Sequence, residues 1–351
     1  MTTWKVHGIE LPFGDREQSW WVNESGTVVD RPIEGAETLP GRFVLAGLVD
    51  AHAHPAVGIG SSGPIALNEQ QTRGNLLAWA ETGITLVRDV GSPGGITLDL
   101  VPRPQEPSVR AAGRFLAPEH RYFEELLLEP VGEEDLIDVA LQQIRAGATW
   151  VKVIGDFPLL PEFVDLERTY PIELIAQLCT AVHTAGARVA VHTTLPDVNT
   201  LVLAGVDSVE HGHELDKSSI AEMGRRGVAW TPTLCALLSH AGDPDALPEM
   251  LNWVRETRAR LAELLPLAVR LGVPVLAGTD VVGSIPQEVI HLVDLGLDPS
   301  EALAAASDWG RRFLGDDDDR TDIVTYEHDP REDPVQLTNP CAVVVGGIRL
   351  R

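Results

Sequence analysis

Cysteine is nearly missing from this sequence. Cys179, Cys235 and Cys341 are scattered, and none sits in a CxxC pair. An odd, dispersed set argues against a disulfide framework and fits a reducing compartment, so a cytoplasmic location is expected. An uncharged apolar run of ~20 residues, the length of a membrane span, is also absent. The opening stretch MTTWKVHGIELPFGD has no basic start followed by an apolar segment, so no signal peptide is expected. No GxSxG marks a serine nucleophile. Positive charge is short as well: 27 Lys and Arg face 52 Asp and Glu, a formal net charge of −25. Such a chain repels phosphate backbones and anionic lipid, which sets nucleic acid and membrane aside as partners.

What remains is a chain of 351 residues, 44% apolar, long enough for one barrel-sized domain and a small extra module. Eight short apolar runs recur: GLVDAH, ITLVRDVG, SVRAAG, TWVKVIG, ARVAVHTT, VDSVEHG, GVAWTPTL and VPVLAGTD. Between them lie amphipathic segments such as EEDLIDVALQQIRAG and PIELIAQLCTAVHTAG, several closed by Gly, a helix stop signal. The connection from the second run to the third is less clear, because prolines crowd residues 93–107. Strand–helix alternation repeated eight times predicts an α/β fold, a closed (β/α)8 TIM barrel, over residues 46–319. The ends, 1–45 and 320–351, carry short β-like pieces punctuated by Asn, Gly and Pro, and are expected to pair as one small β-module. The acidic run Asp316 to Asp319 reads as a solvated turn rather than a metal site.

The polar residues fall where a barrel of this kind keeps its chemistry, at the C-terminal ends of strands. His52 and His54 end the first run, Lys152 sits inside the fourth, His192 ends the fifth, His211 the sixth and Asp280 the eighth. His52 and His54, two apart on a strand, point to one side and can grip one cation; alone, such an HxH is equally a surface loop. Asp50 shares that side and is expected to orient an imidazole. Lys152 lies between Val151 and Val153, so it points into the barrel if the valines face the helices. A buried ammonium must be paired, deprotonated or modified, or must reach out at the strand end. Addition of carbon dioxide to the neutral amine would give a carbamate able to bridge two cations. His213, two past His211, is left as a supporting or substrate-contacting residue. Asp280 can ligate a cation and accept a proton from water, or it can cap the helix that follows.

Taken together, GLVDAHAHP (47–55), TLVRDVG (85–91), ATWVKVIGD (148–156), ARVAVHTT (187–194), AGVDSVEHGHELD (204–216), AWTPTL (229–234) and LAGTD (276–280) resemble the amidohydrolase superfamily. Within it they resemble the branch of imidazolonepropionase-like and Xaa-Pro dipeptidase (prolidase)-like proteins. The resemblance implies a barrel of the metal-dependent hydrolase type with two divalent metal ions. His52, His54 and Asp280 would hold the first metal and His192 and His211 the second. Carboxylated Lys152 and a hydroxide would bridge them. Zn fits the His-rich set, and Mn, Co or Fe fit the same ligands. The chain departs from the family where FLGDDDDRTDIVTY replaces the usual Gly-rich turn with its Lys, and where the terminal β-module is short.

The expected activity is hydrolysis of an amide-like C–N bond in a small molecule: a dipeptide, an N-acyl amino acid, a carbamate or a cyclic amide. The bridging hydroxide would attack the carbonyl carbon, with Lys152 supporting the metals and Asp280 as general acid and base. The same site would suit a lactone, ester or phosphotriester, and a catalytically inactive scaffold is the remote alternative. For substrate binding the segment LAPEHRYFEELL offers His120, Arg121 and Tyr122; in the family a histidine near His120 borders the active site. Thr231 and Thr233 are candidates for the pocket wall, and Trp230 for the core. His240 and His291 receive no role, and Arg88 and Asp89 are expected to form a buried pair. Relatives are often multimeric, so a homo-oligomer is an expectation of the resemblance.

Overall fold

The structure is a computed structural model, and it describes residues 2–61, 63–161, 164–242, 247–316 and 321–351. Seven of the eight apolar runs form parallel barrel strands: Leu48–Ala53, Ile84–Asp89, Ser108–Ala111, Trp150–Ile154, Arg188–Thr193, Ser208–His211 and Ala229–Thr231. Strands one to three make one arc and strands four to seven another. The first seam between the arcs runs through Leu116, whose N–H donates to Lys152 O (3.1 Å) and whose carbonyl accepts from Ile154 N–H (3.0 Å). The second is filled by the eighth run, which is held as a bridging segment rather than a regular strand. Trp230 N–H donates to Pro274 O and Leu276 N–H to Trp230 O, both at 2.9 Å; on its other side Asp280 N–H donates to His52 O at 2.7 Å. Pro274 has no N–H to continue a ladder. Gly278 is needed for the close approach, because a Cβ there would sit 2.5 Å from His52 Cβ.

The strands are buried on both faces, as parallel strands covered by helices must be. Val151, Val153, Val189, Val191 and Val209 face outward into the main core, against Leu178 and Val182 of the helix Ile172–Thr184 and Leu201 of the helix Val198–Ala204. Lys152, between two of those valines, therefore faces the barrel interior, where side chains alternate along a strand. Gly205 and Gly227 close their helices in the left-handed conformation, with φ of 104° and 70°. The proline-crowded stretch after strand two forms a 3-10 segment, Pro93–Asp99, in place of an α-helix. Two hairpins, Val57–Gly60 with Gly63–Ala66 and Asp156–Leu159 with Val164–Arg168, follow strands one and four.

The two ends of the chain meet in one sheet. Phe43–Leu45 lies between Trp4–Glu10, to which it is parallel, and Ile323–Tyr326, to which it is antiparallel. Ala342–Val345 and Ile348–Arg349 extend one edge. Trp4, Val6, Trp20, Val22, Ile323 and Val344 form a separate core beneath this sheet. Arg331 ties the ends further by donating to Gly14 O (2.8 Å) and Pro12 O (3.3 Å). In the acidic run, Asp316 pairs with Arg110 and Arg311, and Asp317 to Asp319 lie outside the described residues. Among the described residues, no helix is long and apolar enough to cross a membrane.

The module can be tested without touching the barrel. A Cβ at Gly8 would sit 2.1 Å from Arg42 O, a backbone atom with no freedom to move aside. Gly8→Ala should lower unfolding stability by ~1–3 kcal/mol, the usual cost of overpacking, as read from the denaturant midpoint. An unchanged midpoint would mean that the terminal sheet is not packed against this strand as described.

Candidate active site

At the C-terminal mouth of the barrel lies a cavity of about 260 Å³. His52, His54, Lys152, His192, His211 and Asp280 all line it. Ring centroids of His192 and His211 are 4.5 Å apart, of His52 and His211 5.0 Å, and of His52 and His54 5.3 Å. One donor atom each from His52, His211 and Asp280 falls within 4.8 Å of the others, a spacing at which a single cation can be shared. Asp280 Oδ1 lies 3.4 Å from His54 Nε2.

The hydrogen bonds around the rings decide which nitrogen faces the cavity. His54 Nδ1 is 2.8 Å from Gly91 O, a pure acceptor, so Nδ1 carries the proton. His52 Nδ1 is 2.6 Å from Glu210 Oε2, a carboxylate held by Arg88. His211 Nδ1 is 2.7 Å from Thr233 Oγ1, whose own proton goes to Pro232 O at 2.8 Å, so the ring donates there too. Each Nδ1–H is used, and each Nε2 keeps its lone pair. The His54 lone pair thus faces the Asp280 carboxylate. Two acceptors at that distance repel unless a proton or a cation lies between them. Burial, against the opposing pull of Asp280, holds His54 below the usual imidazole range. Burial and the Lys152 charge push His52 and His192 well below it, and burial together with the neighbouring His192 does the same to His211. Neutral imidazoles with a free Nε2 beside a carboxylate are the donor set a divalent cation requires.

Lys152 is 1% exposed, and no hydrogen bond or ion pair joins it to any described residue. Burial pushes its ammonium down to about 8, against the pull of Glu210 and Asp280. An unpartnered amine that gives up its proton far more readily than an ordinary lysine therefore sits among the candidate ligands. It fits the modification expected of it.

The backbone is strained where the ligands sit. His211, Asp280 and Thr233 have φ of 67°, 60° and 48°, the left-handed region that costs residues other than Gly ~1–3 kcal/mol. At His211 this ends the strand's alternation. Neighbours on a strand should face opposite ways, yet Glu210 and His211 both meet His52. Glu210 was not singled out in the sequence; its only signal there is an acid next to a candidate ligand. It also accepts from Arg88 Nη2 (2.8 Å) and Ser208 Oγ (2.5 Å). Arg88 therefore pairs with Glu210 and not with Asp89, which accepts instead from Thr97 Oγ1 and Gly91 N–H. Arg88 and Asp89 are neighbours on a regular strand and so face opposite ways. Asp50 orients no imidazole. It accepts from Thr279 Oγ1 (2.6 Å) and Thr279 N–H (3.1 Å), pinning strand one to the bridging segment. Asp280 caps no helix, because Ser284 caps the next one.

Of the three substrate-binding candidates, Tyr122 lines the cavity and packs on Phe115, Phe123 and Phe157. His120 and Arg121 do not line it. His120 is half-exposed and 3.0 Å from Glu124; Arg121 holds Phe157 O, Asp165 O and Glu167. His240, given no role from sequence, lines the cavity beside Ser239. Thr231 and Thr233 serve Arg88 and His211 rather than the wall. His213 is buried away from the lining, and its backbone carbonyl accepts from Arg260 Nη2 at 2.6 Å.

The amidohydrolase family model matches residues 43–319. An uncharacterized protein of Mycobacterium tuberculosis is 36% identical over 97% of this chain and 94% of its own length. Among solved structures, a Xaa-Pro dipeptidase with bound methionine in its active site superposes with a TM-score of 0.81 at 20% identity, covering 100% of both chains. An ochratoxinase of A. niger superposes with a TM-score of 0.82 at 17% identity, covering 100% of this chain and 96% of its own.

Glu210 offers a direct test of the buried network. Glu210→Gln leaves the Arg88 guanidinium buried without a counter-charge and frees His52 Nδ1. In chelator, unfolding should become easier by ~3–5 kcal/mol, the cost of breaking a buried pair from one side. Metal affinity should fall ~10–100-fold, as when the partner of a ligating histidine is removed. Unchanged stability in chelator would mean that Arg88 finds its counter-charge elsewhere.

Proposed function

Because the chain belongs to the amidohydrolase family, and is therefore a hydrolase, we propose that it cleaves an amide-like C–N bond in a small molecule at a pair of divalent cations. The observation that carries this reading is the set of free Nε2 lone pairs facing Asp280 and an unpartnered buried lysine. His52, His54 and Asp280 would hold one cation, His192 and His211 the other. Lys152 would join the ligand set as a carbamate: its ammonium gives up a proton, the free amine adds carbon dioxide with formation of an N–C bond, and a second proton is released. Zn suits this donor set, as do Mn, Co and Fe. When bound, such cations lower the pKa of a water and polarise a carbonyl oxygen.

The remaining work falls to this chain's own groups. Asp280 has a side chain 20% exposed, toward the cavity, and reaches water as its neighbours do not. It would take the proton of the attacking water and return it to the leaving nitrogen. Burial pushes the Tyr122 phenol further up, so its O–H stays a donor that can hold the substrate's carbonyl or leaving group. Apolar wall residues around the mouth exclude bulk water and strengthen these contacts. The dipeptidase among the similar structures acts, by its name, on a C–N bond of this kind. Dipeptides, N-acyl amino acids, carbamates and cyclic amides share that bond. Unpaired Cys179, Cys235 and Cys341 suit a cytoplasmic enzyme.

Elemental analysis of protein grown with bicarbonate should find about two divalent ions per chain, falling to one or none in Lys152→Ala. Little metal after incubation with Zn or Mn would overturn the proposal. Chelation should abolish amide hydrolysis, and metal with bicarbonate should restore it. Asp280→Asn should keep the fold by circular dichroism yet lose ~10²–10⁴-fold in kcat, the range of general acid–base catalysis. Full activity in that variant would exclude Asp280 as the proton carrier.

A further inference from the structure

Above the ligand floor the cavity is walled by apolar groups. Val57, Phe123, Leu126, Phe157 and Val282 line it, with the ring of Tyr122. Those rings pack edge to face, with Tyr122 and Phe157 5.1 Å apart and Phe123 and Phe157 5.2 Å apart, so the aromatic wall is rigid. Polar atoms on the wall come from Ser239, His240 and the Tyr122 hydroxyl. Among the described lining residues, no arginine occurs, and no lysine other than Lys152.

The nearest guanidinium in sequence is turned away. Arg121, next to Tyr122, donates to Phe157 O (3.0 Å) and Asp165 O (2.8 Å) and pairs with Glu167 (3.1 Å). It thereby fastens the hairpin Asp156–Leu159 with Val164–Arg168 and has no reach to spare for a ligand. Arg168 on that hairpin pairs with Asp197 at 2.7 Å through Nη2; its Nη1 is buried without a partner, but the residue does not line the cavity. Ser62 and residues 243–246, next in sequence to wall residues, include no Lys or Arg.

Resting on the hydrolytic reading above, we infer that the substrate is uncharged on both sides of the scissile bond and sets a single aryl or compact alkyl group against this wall. Burying a carboxylate there without a cationic partner costs several kcal/mol. The net charge of −25 repels an anion before it arrives. The cavity, about 260 Å³, lies below the ~300–1,000 Å³ usual for small-molecule sites, so the group is small. Among the candidate substrates this favours carbamates and cyclic amides over dipeptides and N-acyl amino acids, which keep a free carboxylate; a simple anilide is a neutral probe of the same bond.

The test compares 4-acetamidoacetophenone with 4-acetamidobenzoate, which share one scissile anilide and differ in the charge of a group placed far from it. With metal-loaded protein, kcat/KM should favour the neutral member at least ~100-fold, the factor for about 2.7 kcal/mol of uncompensated burial. Calorimetric dissociation constants measured on metal-loaded Asp280→Asn should show the same preference. Equal or better turnover or binding of the benzoate would overturn the inference, as would failure of both compounds to bind. Preferential binding of the neutral compound with no turnover of either by the unaltered protein would support the uncharged pocket and instead count against the hydrolytic reading.

Discussion

The site depends on a conflict that the protein alone does not resolve. Three imidazoles have their Nδ1 protons tied to Glu210, Gly91 and Thr233, so their remaining lone pairs are directed at one another and at Asp280. An apolar core would avoid such a cluster. Here the barrel enforces it, because each ring stands at the end of a strand whose neighbours are hydrogen-bonded on both sides. The left-handed backbone at His211 and Asp280 adds strain in the same place. Strain and acceptor repulsion are tolerated only where the surrounding structure over-determines them. A cation that binds the folded chain offsets both, so occupancy and fold stability are linked.

Below this cluster the barrel axis carries a continuous column of charge and π contact. Trp150 is buried in contact with two guanidiniums, Arg188 4.3 Å and Arg88 4.6 Å from its ring centre. Arg88 holds Glu210, and Glu210 holds His52. Burial lowers the Arg88 pKa while Glu210 raises it, which is the balance expected of an ion pair kept because its partner has a second task. The glutamate neutralises the arginine and orients the ring, so the structural interior and the chemical mouth of the barrel share one carboxylate.

Much of this was legible in sequence because two periodicities coincide. Residue pairs two apart on a strand share a face, and strand ends share a rim. His52 and His54 satisfy the first rule, His192, His211 and Asp280 close their apolar runs as the second requires, and Lys152 points inward between its valines, so the six could be grouped from their positions. The valines on either side of Lys152 told its direction. What failed were inferences that ignored alternation or needed its local breakdown. Arg88 and Asp89 are neighbours, hence on opposite faces, and the pair expected between them does not form. Glu210 points inward with Ser208 as alternation requires; it escaped notice because the left-handed backbone at His211 brings that neighbour inward as well, and no spacing rule announces that. The eighth run looked like its fellows, yet Pro274 and the close approach at Gly278 keep it from regular pairing.

The mouth was harder to read than the floor for a physical reason. Floor residues are placed by strands, whose geometry is common to every barrel, whereas wall residues are placed by loops whose course depends on what each side chain finds to hold. Arg121 shows the difference. In sequence it stands beside Tyr122 as an equal candidate to grip a substrate's carboxylate. In the fold its guanidinium is spent on two backbone carbonyls and Glu167, and that choice leaves the tyrosine ring to face the cavity without it. The same bonds that brace the Asp156–Arg168 hairpin thus keep the Arg121 guanidinium off the wall. A loop's internal satisfaction and the pocket's selectivity are here one set of hydrogen bonds, so a change that loosened the hairpin would also alter the charge the cavity presents.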